Sequence, residues 1–109
     1  RQLPGQEIPL HTDGNNTAVK DKNDYMIRSI TALTASKDFR YNFIDTENKY
    51  RVQWLRQGET IFFDPDLIAH GMSNESKTET RYALVQIFKL YPVTDWARDF
   101  ISTKKVVKI

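Results

Sequence analysis

Apolar and polar residues alternate with a period of two along much of the chain, as expected of strands with one buried face. The cleanest run is 39–44, which sets Phe39, Tyr41 and Phe43 on one face. Asp45-Thr46-Glu47-Asn48 is a turn, and Lys49 to Leu55 alternates again, so the pair predicts a β-hairpin. Arg56-Gln57-Gly58 turns the chain into a further strand, Glu59 to Phe63, which Asp64-Pro65-Asp66 stops. Leu67 to Met72 predicts a short strand, and Ser73 to Thr80 a polar loop. Arg81 to Leu90 is the strongest strand, apolar on both faces.

Nearer the start, residues 3–10 hold a Pro-Gly turn and a short strand. Pro9 lacks the N–H that a central ladder needs, so this strand is expected at a sheet edge or bent at that point. Residues 13–24 are turn formers and charges, a solvated loop. Residues 25–35 read as a largely buried strand, with a helix as the rival because Ala, Leu and Met favour one. Beyond Pro92 the period changes. Thr94 is suited to cap a helix, Asp95 to its first turn, and Trp96, Phe100 and Ile101 form an apolar stripe. Lys104 to Ile109 closes the chain as an edge strand guarded by lysines. A succession of short strands separated by turns predicts a β-sandwich or barrel.

Composition narrows the function classes. A length of 109 residues suits one domain, spanning 1–109. A net charge of +2, with basic and acidic residues interleaved, does not indicate nucleic acid. No apolar run approaches the roughly 20 residues of a membrane helix. The absence of cysteine excludes disulfides and thiolate metal sites. Two histidines remain, His11 and His70, each at the end of an apolar run. On a strand His11 and Asp13 point the same way, so an imidazole and a carboxylate lie side by side. If the fold returns His70 to them, the three form an N/N/O ligand set with open positions, the facial arrangement of non-haem iron(II) sites. Arg81 opens an apolar face, where a guanidinium is costly without an anion, and a bound carboxylate would supply one. The plainer readings are a surface turn at His11, a core histidine at position 70, and a salt bridge from Arg81 to Glu79 or Asp64.

Taken in order, His11-Thr12-Asp13, Gly58 through Asp64, His70-Gly71 and Arg81 resemble the Fe(II)- and 2-oxoglutarate-dependent dioxygenases of the double-stranded β-helix fold. From Trp54 to Leu84, the series Trp54, Gly58, Phe63-Asp64, His70, Asn74-Glu75-Ser76 and Arg81 resembles the aspartyl/asparaginyl β-hydroxylase branch. The approach Leu3 to Pro9 resembles that of small phage and bacterial oxygenases. Asp13 departs from the Gly of the hydroxylase branch, Ile30 from its early-strand His, and Ala83 from a Ser two residues after the Arg.

The resemblance implies an all-β double-stranded β-helix, a cupin-like jelly-roll, with a short C-terminal helix and without the strands that precede the motif in the family. It implies that His11, Asp13 and His70 hold Fe(II), that Arg81, or Arg28 in its place, anchors 2-oxoglutarate, and that a substrate is hydroxylated as 2-oxoglutarate decarboxylates to succinate. The expected partners are a small-molecule or peptide substrate and, at an incomplete barrel edge, a second copy or larger assembly, in a cytoplasmic setting, with virus or phage encoding as an alternative origin. The rivals are a cupin-like metal protein with other chemistry and a non-enzymatic β-barrel that serves binding or assembly.

Overall fold

The structure is a computed structural model that describes residues 1–13, 25–45, 47–90 and 107–108. These residues form strands only: β1 (Glu7–His11), β2 (Tyr25–Ala32), β3 (Phe39–Ile44), β4 (Tyr50–Gln53), β5 (Thr60–Phe63), β6 (His70–Asn74), β7 (Ala83–Leu90) and β8 (Val107–Lys108). They make two four-stranded sheets, in the orders β1-β6-β3-β4 and β7-β2-β5-β8. Every strand pairing is antiparallel. The expected C-terminal helix and most of the predicted 13–24 loop fall outside the described residues. Among the described residues no helix is long and apolar enough to cross a membrane.

The sheets face one another across the residues that alternation sets inward. Ile30 and Ala32 of β2 and Ile61 and Phe63 of β5 meet Tyr41 and Phe43 of β3, with Leu55 and Ile68 closing the ends. Phe43 and Phe63 pack edge to face, with ring centroids 5.2 Å apart and planes at 74°. The chain crosses between sheets repeatedly, since β1, β3, β4 and β6 lie in one and β2, β5 and β7 in the other. The core is thus built from residues far apart in sequence. At position 25–32 the strand wins over the helix, because β2 is paired on both sides, along its whole length with β7 and over Arg28–Thr31 with β5.

Three expectations need correction. β6 begins at His70 rather than Leu67, because Leu67 and Ile68 are held in a turn by Asp64. The Asp64 carboxylate accepts from the Asp66 and Leu67 amides, and its carbonyl accepts from the Ile68 amide. β6 also continues through Ser73 and Asn74, which pair with β3 on one side while Ser73 pairs with β1 on the other. Among the described residues β7 is an edge strand. It pairs with β2 alone among the described residues, and Leu84, Val85, Ile87 and Phe88 are 42–52% exposed. Arg81 precedes this strand, in an isolated bridge with Gln2.

Phe63 joins both sheets and is fully buried. Truncating a buried Phe removes its burial and leaves a cavity, which costs roughly 3–5 kcal/mol. Phe63→Ala is expected to lower the unfolding free energy by about that amount, read from the midpoint of a urea titration. A change below about 1 kcal/mol would contradict the packing described.

Candidate metal centre

The site begins with a flaw in a strand. β1 pairs Glu7 with Ser73 and Ile8 with Met72, but His11 then faces His70. Between Ile8 and His11 one extra residue is inserted, which makes a β-bulge. Simple alternation would put Ile8 and His11 on opposite faces, and the bulge turns His11 onto the inward face. Pro9 sits in the bulge, where a missing N–H is harmless. The strand is therefore both at an edge and bent, as Pro9 predicted.

Gly71 makes the bulge possible. A Cβ at this position would lie 2.5 Å from the Ile8 carbonyl oxygen, 3.0 Å from the Pro9 carbonyl carbon and 3.1 Å from the Leu10 nitrogen. The requirement is close backbone approach, since Gly71 shows no positive φ.

Both imidazoles are oriented by the same local device. His11 Nδ1 bonds to the Pro9 carbonyl at 2.8 Å, and His70 Nδ1 to the Ile68 carbonyl at 2.8 Å. A carbonyl only accepts, so each Nδ1 carries the proton and each Nε2 presents a lone pair. The two Nε2 atoms converge on one oxygen, Asp13 Oδ1, at 3.2 Å from His11 and 3.3 Å from His70. Asp13 is held by its backbone, whose amide donates to the Pro65 carbonyl at 2.9 Å. The turn Asp64-Pro65-Asp66 thus positions the Asp13 carboxylate as well as ending β5.

His11, Asp13 and His70 could together hold a metal ion, with one ligating atom from each and all three within 4.8 Å of one another. Two ligands about 2.1 Å from an ion and at right angles to each other lie about 3.0 Å apart, close to the nitrogen–oxygen separations here. The donor set, two neutral nitrogens and one carboxylate, suits a borderline divalent transition metal. His70 is buried and packs against the Phe63 ring at a centroid distance of 4.9 Å, whereas His11 is exposed. One side of the site is therefore closed and the other open.

Burial holds the His70 pKa below its ordinary value of 6.5, against the opposing pull of the Ile68 carbonyl and the Asp13 carboxylate. Arg28, from β2, approaches the same point. Its Nη2 is ion-paired with Asp13 Oδ2, and its Nη1 lies 3.2 Å from His70 Nε2.

Arg81 does not touch the three ligands. It is 1% exposed, lies over the Tyr41 ring at 3.9 Å, and donates from Nη1 to Gln2 Oε1, the Arg40 carbonyl and the Ser73 carbonyl at 3.0–3.1 Å. Its Nε and Nη2 have no hydrogen-bond partner among the described residues. Burial lowers its pKa from the ordinary arginine value. Arg81 lines a cavity of about 320 Å³, and the triad a cavity of about 240 Å³ that holds His11, Arg28 and His70. The two share Ile8, Met72 and Val85 in their walls.

Trp54 is 52% exposed and donates to the Lys37 carbonyl. Tyr41 is core. Sequence reasoning missed the roles of Gly71 and Pro65, though a glycine directly after a candidate ligand, and a proline in the turn that ends β5, are the signals that could have shown them. The chain matches no protein-family model, no curated protein and no solved structure.

Gly71→Ala is expected to push β1 away from β6. It should cost about 1–3 kcal/mol of stability and weaken Co(II) binding, read by visible absorption, because His11 loses its placement. Unchanged binding would separate the bulge from the site.

A second expectation concerns pH. The unfolded chain protonates His70 near 6.5, the folded chain only at lower pH, so on acidification the unfolded state takes up more protons. The stability His70 gives is therefore complete above 6.5 and lost as pH falls through its folded value. Chelator-treated protein should show a urea midpoint that drops below this pH, with a shallower drop in His70→Asn.

Proposed function

We propose that this chain is an Fe(II)- and 2-oxoglutarate-dependent dioxygenase that hydroxylates a small-molecule or peptide substrate. The observation that carries the reading is the meeting of His11 Nε2, His70 Nε2 and Asp13 Oδ1, with both nitrogens presenting lone pairs. Three ligands on one side leave the opposite positions of an octahedral ion for a cosubstrate and dioxygen. When bound, Fe(II) would supply the activation of dioxygen that couples decarboxylation of 2-oxoglutarate to substrate oxidation.

The architecture favours the same reading. Strands that cross between two antiparallel four-stranded sheets, with the ligands on two adjacent strands of one sheet, are compatible with a double-stranded β-helix. Arg81 supports the cosubstrate. A buried guanidinium with two unpartnered nitrogens, set in a cavity beside the triad, calls for an anion. Ser73, whose carbonyl Arg81 meets, is three residues along β6 from His70, about 10 Å at strand rise. A short dicarboxylate, ligated at one end and paired with a guanidinium at the other, covers such a span. In this reading Arg81 Nε and Nη2 bind the distal carboxylate, Tyr41 and Gln2 hold the guanidinium in place, and Ile8, Met72 and Val85 keep water from the chain between. Arg28 is already engaged with Asp13, so Arg81 takes precedence over it as the anchor.

Anaerobic addition of Fe(II) and 2-oxoglutarate should produce a visible charge-transfer band that needs both. Arg81→Lys keeps the charge but loses the planar fork, so it should weaken 2-oxoglutarate binding by about tenfold or more while Fe(II) binding persists. A band or turnover independent of 2-oxoglutarate would favour a cupin-like metal protein with other chemistry. Failure to bind any divalent ion would favour a binding or assembly module.

A further inference from the structure

The two oxygens of Asp13 face different partners. Oδ1 faces both histidine Nε2 atoms, and Oδ2 faces the Arg28 guanidinium. The same guanidinium uses its other terminal nitrogen on His70 Nε2, at 3.2 Å. That nitrogen must be the acceptor, because Nδ1 already donates to the Ile68 carbonyl. Arg28 therefore engages one atom that an ion does not need and one that it does.

We propose that Arg28 is a latch on metal entry: its guanidinium holds Asp13 and His70 facing each other, and an incoming cation must take His70 Nε2 away from Nη1 while Nη2 keeps Asp13 Oδ2. The inference rests on the reading of His11, Asp13 and His70 as a metal centre. Arg28 is well placed for both halves of the task. It projects from β2, in the opposite sheet to β1 and β6, between Phe63 on one neighbouring strand and Ile87 on the other. Its side chain is only 18% exposed, and its Nε has no hydrogen-bond partner among the described residues. Among the described residues Nη1 has one acceptor, His70, so the bond that must break is a single bond to a neutral nitrogen. The bond that stays is an ion pair to a carboxylate, the stronger of the two.

Two consequences follow. With Oδ2 held by Arg28, Asp13 offers an ion a single oxygen, which preserves open positions that a bidentate carboxylate would take. The fixed positive charge also opposes a divalent cation a few ångströms away, so Arg28 sets affinity below what the three ligands alone would give. Arg28 is a positioning residue in this account and not a ligand.

The test is metal affinity, without reference to turnover. Mn(II) binding would be measured by electron paramagnetic resonance on chelator-stripped wild type, Arg28→Gln and Arg28→Lys, with circular dichroism to establish folding. Removing a unit positive charge near a divalent ion should tighten binding by at least about tenfold in Arg28→Gln. Arg28→Lys keeps the charge but cannot span both partners, and should fall between the two. Binding by Arg28→Gln with none by wild type would be the same result in its extreme form. Equal or weaker binding by folded Arg28→Gln, or by Arg28→Lys if the Gln variant does not fold, would overturn the latch and leave the metal centre standing. No binding by any of the three would overturn both.

Discussion

The close approach of the β1 backbone to Gly71 is the constraint on which the rest depends. Without it the bulge at Pro9 and Leu10 has no room, and β1 continues in register with β6. In that register alternation carries His11 to the outer face, away from His70. The bulge is not decoration on a finished sheet. It converts two strand ends that merely neighbour each other into two imidazoles directed at one oxygen. A glycine next to His70 and a proline two residues before His11 are thus a matched pair, one making space and the other filling it without needing a ladder hydrogen bond.

Electrostatics then decides what the enclosed space can accept. The sandwich interior holds two guanidiniums, Arg28 and Arg81, and each is costly to bury. Arg28 is offset by Asp13. Arg81 is offset only in part, by carbonyl and amide oxygens on Nη1 and by the faces of Tyr41 and Phe39. The unmatched half of Arg81 lines the neighbouring cavity, and a charge so deeply buried would gain most from a counter-charge. The cavity beside Arg81 and the cavity beside His11 and His70 share Ile8, Met72 and Val85 in their walls.

Much of this was legible in the alternation of residues. The β3–β4 hairpin, β5 and β7 follow from it, and so do the inward positions of Tyr41, Phe43, Ile61 and Phe63. His11, Asp13 and His70 were legible as a set because there are two histidines only and one carboxylate stands two residues from the first. What escaped were effects of tertiary neighbours. Period-two reading counts Leu67 and Ile68 into β6, but the Asp64 carboxylate captures their region into a turn. Apolarity on both faces of β7 does not say which strands flank it, and among the described residues one does. The charge on Arg28 is visible, but its partner comes from a residue before β2 brought near by folding. A one-dimensional pattern carries no information on such a pair.

The two histidines show how little the chain needs beyond local geometry once the strands are set. Each gives its Nδ1 proton to the carbonyl two residues upstream, Pro9 in one case and Ile68 in the other. The choice of tautomer is therefore made within three residues and requires no distant carboxylate. That frees Asp13 from the task of orienting an imidazole through Nδ1, which it would otherwise do from outside the site. Asp13 can instead stand inside, with one oxygen toward both Nε2 atoms and the other toward Arg28. The carboxylate is shared between a would-be ligand role and an ion pair because the backbone has already done the work of a second carboxylate. On this argument the economy of the site, one acid among two imidazoles and a guanidinium, follows from the local hydrogen bonds of the two strands that carry His11 and His70.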